Sequence, residues 1–506
     1  MNQKLLSLLA LLPLAGRAQQ TKPNVILLVA DDLGYGDLSC YGATRVETPA
    51  VDSLAASGIR FTNMHACAST STPSRYGLLT GQYPFRKSGT DVAAGNAGMI
   101  IHPDRTTVAD LMKRGGYTTA AIGKWHLGLG SKTAQQDWNG TLDQTPLNLG
   151  FDYHYIMAAT ADRVPCVFIE NGQVANHDAS APIEVSYRAN FPGEPTGRTH
   201  PELLTKLKPS HGHDMSIVNG ISRIGYMKGG GKALWRDEDI ADSIMAHAIR
   251  FINDNSDTPF FMYLCTNDVH VPRMPHERFR GKSVMGLRGE AILQFDQCVS
   301  RLRQALRERG LEENTIIIVT SDNGPVLDDG YADQAIELAE DHRPGSGFRG
   351  GKYSAFEAGS MVPFIVSWPA EIHKGKVSDA LCSLIDVPAT LAALADVEPQ
   401  EGEAPDSENH LATWLGKNSK PRKQAISLSA SHVLSLRTQR YKYISPSEGE
   451  AVISWGPKIE TGNNPAPQLY DLSQSDYEGR NIADKKPKTV KRLQRRLEKV
   501  RTKTTL

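Results

Sequence analysis

Five apolar runs of four to six residues recur along the chain, at 25–30, 119–122, 260–264, 316–319 and 364–367, with helix-like segments between them. Such runs are short for helices and lack polar alternation, so they read as strands buried on both faces. Alternating with helices, they predict an α/β fold: a large, mostly parallel sheet sandwiched by helices. The residues that follow the runs are polar and chemically specific. NVILLVADD ends in Asp31 and Asp32, AAIGKWHLG runs into Lys124 and His126, FFMYLCTNDVH ends in Asp268 and His270, and TIIIVTSDNG ends in Asp322 and Asn323. Ligands of open α/β sheets bind beyond the carboxyl ends of the strands, so four strand ends point to one site.

With 506 residues the chain has room for this domain and a smaller appendage. The rhythm is interrupted over 151–235, a polar stretch with Gly and Pro that is too long for an ordinary connector and reads as an insertion over the active face. A Glu- and Pro-rich stretch at 398–408 marks a boundary, giving a catalytic domain over 21–400. Strand-like alternation at 427–444, the QLYDL segment from Gln468 and a helix around 488–501 predict a C-terminal antiparallel sheet plus helix over 420–506. Val490, Leu493, Leu497 and Val500 form an apolar stripe on that helix. Its other face is basic, which suits either a solvated surface or a polyanion-binding tail.

Residues 1–18 carry Lys4, an apolar run and small residues ending at Ala18, the layout of a cleavable secretory signal. This predicts use of the export machinery and a periplasmic or secreted protein. No later run approaches the roughly 20 apolar residues of a membrane span. Lys plus Arg and Asp plus Glu both number 56, so overall charge gives no reason to expect a nucleic-acid partner. The six cysteines lack metal-binding spacing and read as small buried hydrophobes, although an exported chain could oxidise a pair.

Asp31 and Asp32 taken alone could be turn or cap residues. Together with Asp322 and Asn323 they make a set of oxygen ligands suited to Ca2+, with Mg2+ as the other hard cation. The several histidines of a two-zinc phosphatase are missing. Arg75, Lys124, His126, His270 and Lys352 surround this set with positive charge or protons, as a compact oxyanion requires. STPSRYGLLTG, residues 71–81, holds a serine without the G-x-S-x-G elbow of a direct serine nucleophile. Thr72 can cap a helix whose first position is Pro73, leaving Ser71 just outside a helix N-terminus, where anions are stabilised.

The S-x-P-S-R-x-x-x-L-T-G stretch, with ADD, GKWHLG, SDNG, RGGK, TPAVDSLAASGIRF at 48–61 and QLYDL, resembles the type I sulfatases of the alkaline phosphatase superfamily over nearly the whole mature chain. The resemblance implies an alkaline phosphatase-like fold and oxidation of Ser71 to formylglycine by a maturase. Asp31, Asp32, Asp322 and Asn323 match the metal ligands, with residue 71 completing the shell. Arg75 would steady the formylglycine diol, Lys124 and Lys352 would hold the sulfate, His126 would be the base and His270 the acid. Family members often read A-x-x-P-H-x-P before that last histidine. Here the stretch is T-N-D-V-H-V-P, with His270 in register with Pro272.

The insertion carries Asp162, Arg163, Glu170, Asn171, His177, His211 and His213, which suit a hydroxyl-rich ligand. DRVPCVFIENGQV resembles the matching part of sulfatases acting on galactose or N-acetylgalactosamine sulfates. The expected substrate is therefore a sulfated carbohydrate at a glycan end, of galacto configuration, with Arg163 and His177 as candidate sugar contacts. Two other readings stand beside it: a phosphoester hydrolase of the same superfamily, and a sulfated-glycan binding protein whose Ser71 stays unmodified.

Overall fold

The computed structural model describes residues 22–417, 420–474 and 478–503. The expected secretory leader at 1–18 lies outside them. All five apolar runs are strands of one ten-stranded sheet. In chain order its strands are β1 (Asn24–Ala30), β2 (Ile59–Phe61), β3 (Thr118–Lys124), β4 (Tyr153–Met157), β5 (Phe168–Glu170), β6 (Gln173–Val174), β7 (Phe260–Cys265), β8 (Thr315–Ser321), β9 (Phe364–Ser367) and β10 (Lys376–Ser378). In space they run β10-β2-β9-β8-β1-β7-β3-β4-β5-β6. The block β8-β1-β7-β3-β4 is parallel throughout.

β1 lies at the centre of the block and is buried along its whole length, as a strand covered on both faces must be. Helices Pro49–Ser57, Ile240–Asp254 and Gly286–Glu308 pack together as one layer, and Ser71–Thr80, Val108–Arg114 and Val387–Leu394 pack as the other. Ile240–Asp254 shows how sequence makes such a layer: Ile240, Ile244, Met245, Ala248, Phe251 and Ile252 are buried at helical spacing.

Two elements differ from the sequence expectation. β9 runs antiparallel to β8, because the chain between them stays at the carboxyl end of the sheet and re-enters from there without a crossover helix. The stretch from 151 also begins inside the sheet: β4 pairs parallel with β3, and β5 and β6 complete that edge. Its tyrosines and histidine hid this. His154 is buried, and its Nε2 accepts a hydrogen bond from the Gly172 amide at 3.0 Å.

The C-terminal sheet is antiparallel, Ala425–Leu428, Leu434–Arg437, Tyr441–Ile444 and Gln468–Asp471 in that order. The helix Pro487–Arg501 docks on it through Val490, Leu493 and Leu497. Cys67, Tyr83 and Ile385 of the large domain share that apolar cluster. Among the described residues no cysteine is disulfide-bonded, and all but the half-buried Cys40 are buried. No helix of the described residues is long and apolar enough to cross a membrane.

A buried ionic clamp holds the turn that follows the Asp31–Asp32 strand end. Asp37 accepts Arg288 Nη1 and Nη2 at 2.7 and 2.6 Å, His342 Nε2 at 2.8 Å and the Gly34 amide at 2.7 Å. Burial works to raise its pKa, but Arg288 and His342 hold the carboxyl well below the usual carboxylate range. Removing one partner of a buried pair leaves the other charge uncompensated. Asp37→Asn should therefore destabilise the fold by about 3–5 kcal/mol in denaturant titration at neutral pH. A lowered pKa stabilises above the unfolded-state value and is lost on acidification, so this gap should narrow as pH falls below about 4.

Candidate active site

Strand register assembles the site. Ala30 pairs with Ser321, so Asp31–Asp32 and Asp322–Asn323 leave β1 and β8 side by side. On the other flank Val29 pairs with Cys265 and Cys265 with Gly123, which brings Lys124 to the same edge. Gly123 sits at φ 96°, and a Cβ there would come within 1.8 Å of the Cys265 carbonyl oxygen, so only glycine lets β3 approach. Asp32 and His126 also take left-handed backbone, at φ 57° and 56°.

The helix carrying Ser71 begins at Ser71 itself, with Thr70 at the N-cap position and no side-chain cap bond. Thr72 therefore does not cap it. Its hydroxyl donates to the His126 carbonyl at 3.0 Å and accepts the Ala93 amide at 3.1 Å, tying two site loops together. Ser71 Oγ donates to Asp322 Oδ2 and accepts Lys124 Nζ at 2.7 Å. One turn on, Arg75 Nη2 and Nε donate to the same Asp322 oxygen at 2.8 and 3.1 Å. Lys124 Nζ also reaches both oxygens of Asp31, at 2.6 and 2.7 Å. Lys352 Nζ bridges Asp32 and Asp329 at 2.7 and 2.8 Å.

The electrostatics follow from burial. Burial pushes Asp31 up and Lys124 down, each opposed by the other's charge. At Asp322 burial is outweighed by Arg75 and Lys124, which hold the carboxyl well below the usual range. At Lys352 burial is outweighed by Asp32 and Asp329, so its ammonium is held charged. His126 is driven well below the usual imidazole value by burial, with Lys124 and Arg163 adding repulsion. Its Nε2 lies 3.0 Å from the Ala93 carbonyl oxygen and must donate to it, which leaves the lone pair on buried, unpartnered Nδ1. His270 Nδ1 is bound to the Val271 carbonyl oxygen at 2.7 Å, and Nε2 lies 3.7 Å from Asp32.

A hard cation fits this donor set. Asp31, Asp32, Asp322 and Asn323 are fully buried; Asn323 Nδ2 donates to Asp32 Oδ1 at 2.7 Å, while Asn323 Oδ1 has no hydrogen-bond partner. A buried, unsatisfied carbonyl oxygen among carboxylates calls for a positive ligand. Carboxylate oxygens of Asp31 and Asp32 also lie within 4.8 Å of a His270 ring nitrogen.

Ser71, His126, His270 and Lys352 open onto a cavity of about 120 Å3. Asp162, Arg163 and His213 line it from the insertion, joined to one another: Arg163 Nη1 and His213 Nε2 lie 2.8 and 3.0 Å from Asp162 Oδ2. The other insertion candidates do not line it. His177 is exposed and bound to Asn139 at 3.1 Å, so it is not placed to touch a ligand here. Glu170 is taken by Tyr153 and Arg250, Asn171 by the His154 amide, and His211 lies behind Trp455 with ring centroids 5.8 Å apart. Sequence reasoning missed Asp329, Tyr353 and Trp455. Asp329 stands in an acidic turn shortly after Asp322 and could have been suspected; Trp455 comes from the C-terminal part, and no local pattern marks it.

A ring of cations and histidines around buried oxygen ligands, at the carboxyl end of a parallel sheet, is an enzyme site for a small oxyanion. Residues 23–397 match the sulfatase family model. The N-acetylgalactosamine-6-O-sulfatase of Bacteroides thetaiotaomicron is 50% identical over 95% of this chain and 93% of its own length. Human arylsulfatase A is 30% identical over 92% and 85%. A solved structure from work on the metabolism of multiple glycosaminoglycans by Bacteroides thetaiotaomicron superposes with a TM-score of 0.93, at 50% identity, over 96% of this chain and all of the other. The chain belongs to the sulfatase family, within the alkaline phosphatase-like superfamily, and is a sulfuric ester hydrolase. Sulfate therefore takes precedence over phosphate, and catalysis over binding alone.

Asp329 touches no reacting group; it positions Lys352 and accepts the Tyr353 hydroxyl at 2.7 Å. Asp329→Asn should cost about 10- to 100-fold in kcat/KM, the usual effect of losing an outer partner of a site residue. Steady-state kinetics on any sulfate ester turned over by the wild type would check this, with a native circular dichroism spectrum at the assay temperature as the control for folding.

Proposed function

We propose that this chain removes the 6-O-sulfate from N-acetylgalactosamine at the end of a sulfated glycan. The observation that carries this reading is the half-identity, over nearly both full lengths, to an N-acetylgalactosamine-6-O-sulfatase. The cavity supports it. It is small, its mouth is lined by polar Asp162, Arg163 and His213, and Trp455, 55% exposed, gives an apolar ring face beside them. Polar groups for hydroxyls beside an aromatic face suit one sugar better than an aryl ester. The leader at 1–18 would place the enzyme in the periplasm or outside the cell.

Asp31, Asp32, Asp322 and Asn323 would hold Ca2+, or Mg2+, with residue 71 completing the shell. Such an ion, when bound, acts as a Lewis acid that favours the ionised form of a neighbouring oxygen. Residue 71 would act as hydrated formylglycine, made from Ser71 by a maturase. Arg75 and Lys124, already on the Ser71 side chain or its partner Asp322, would orient the diol, and Lys124 and Lys352 would hold the sulfate oxygens. One diol oxygen, ionised with its proton released to solvent, attacks sulfur, and the S–O bond to the sugar breaks with its electron pair going to the sugar oxygen. His270 supplies the proton to that oxygen. The free lone pair on His126 Nδ1 then takes the proton of the second hydroxyl, the C=O bond reforms, and the C–O bond to sulfate breaks. An unmodified serine has no second hydroxyl and would stop at the sulfated stage.

A panel of sulfated monosaccharides tests the reading: turnover should be fastest on N-acetylgalactosamine 6-sulfate, and the active protein's residue-71 peptide should lack two hydrogens relative to serine by mass spectrometry. Preference for an aryl sulfate, or full activity with intact serine, would overturn it. His270→Ala should slow sugar sulfates by about 10²- to 10⁴-fold while slowing activated aryl sulfates much less, because only an alkoxide leaving group needs the proton.

A further inference from the structure

The helix Pro487–Arg501 docks through one face and presents the other to solvent. Lys488, Lys491, Arg492, Arg495, Arg496 and Lys499 line an open groove along that second face. Their spacing of three and one residues places them in one stripe, centred opposite Val490, Leu493 and Leu497. Arg496 is anchored to Gln424 and to the Lys423 carbonyl, each at 2.7 Å, but none of the other five makes an ion pair among the described residues. The acid on the helix, Glu498, is taken by Arg501 at 2.9 Å.

This arrangement works against the helix that carries it. Like charges at i,i+4 destabilise a helix by roughly 0.2–0.5 kcal/mol per pair. Cations in the first turn oppose the macrodipole, and no acidic residue stands there to offset them. Burial, with the neighbouring Arg492 charge adding to it, pushes the Arg496 guanidinium down from its ordinary value. The chain as a whole balances 56 basic against 56 acidic residues, so a mixed-charge face was open to it and solubility does not require this stripe.

We propose that this stripe is an exosite for the sulfated glycan chain, separate from the catalytic cavity, that holds a linear polyanion while its terminal sugar is processed. Repeating anions along an extended chain match a row of unpaired cations about 16 Å long, given the helical rise of 1.5 Å per residue. A sulfated glycan is chosen over other polyanions because it is the substrate class of the proposed function, and in that choice the inference rests on that reading. Binding would show the salt dependence of counterion release.

The test uses the full chain and a Lys491→Gln, Arg492→Gln, Arg495→Gln, Lys499→Gln variant, with Lys491→Arg, Lys499→Arg as the charge-preserving control. Turnover of a sulfated monosaccharide should match wild type in both, since none of these residues touches the site, and the glutamine variant should melt no lower than wild type because like-charge pairs are removed. On immobilised chondroitin sulfate the wild type and the control should be retained to higher salt than the glutamine variant, and the slope of log affinity against log salt should fall by about 2–3. Equal retention of all three overturns the proposal. So does a loss confined to double-stranded DNA or anionic lipid vesicles with glycan binding intact. If the wild type fails to hydrolyse the monosaccharide, the proposed function falls, while the retention result still decides whether the stripe binds glycan.

Discussion

Four carboxylates, Asp31, Asp32, Asp322 and Asp329, lie buried at the carboxyl end of the central sheet, and neutralising them is the constraint on which the surrounding structure depends. An isolated buried carboxylate is too costly to keep ionised, so each must be paired or protonated. Arg75 and Lys124 answer Asp322 and Asp31, and Lys352 answers Asp32 and Asp329. This fixes more than charge. It sets the helix of Ser71 against β8, the end of β3 against β1, and the loop of Lys352 across the mouth of the sheet. Under the proposed function Lys124 and Lys352 would also hold the sulfate oxygens, so folding and binding would draw on one arrangement.

Under the proposed function, specificity would come from a different part of the chain. The parallel strands would carry the chemistry of the sulfate, while Asp162, Arg163 and His213 and, from the C-terminal part, Trp455 line the cavity beside it. Asp162 sits between Arg163 and His213, with burial opposed by the Arg163 charge and the His213 hydrogen bond, and its carboxyl is held well below the usual range. A paired, oriented carboxylate of this kind discriminates among hydroxyl patterns more sharply than an apolar wall. Trp455 reaches the same rim from the C-terminal part, whose sheet is locked to the large domain by Arg437 and Lys442 on Glu357 at 2.8 and 3.2 Å. The C-terminal part therefore lines the cavity through Trp455.

Fold likeness by itself would not have led to sulfate. The phosphonate monoester hydrolase of Agrobacterium radiobacter has the same fold, with a TM-score of 0.59 at 17% identity. The distinction lies in the family match and the near-full-length similarity to sulfatases.

The sequence by itself determined the sheet, its helical layers and the inner site, because short apolar runs form buried strands and the polar residues at their ends must share one edge. Asp31, Asp32, Lys124, His270, Asp322 and Asn323 were legible for that reason. Ser71, Arg75, His126 and Lys352 were legible from motif and resemblance. Tertiary structure decided what has no local signal. It turned β9 antiparallel, drew YHYIM into the sheet, began the helix at Ser71 in place of a cap at Thr72, and chose Asp162, Arg163 and His213 over His177. It also brought Asp329, Tyr353 and Trp455 to the cavity. Those outcomes depend on which loops meet above the sheet, and loop approach is set by long-range packing and charge pairing, which leave no period in the chain.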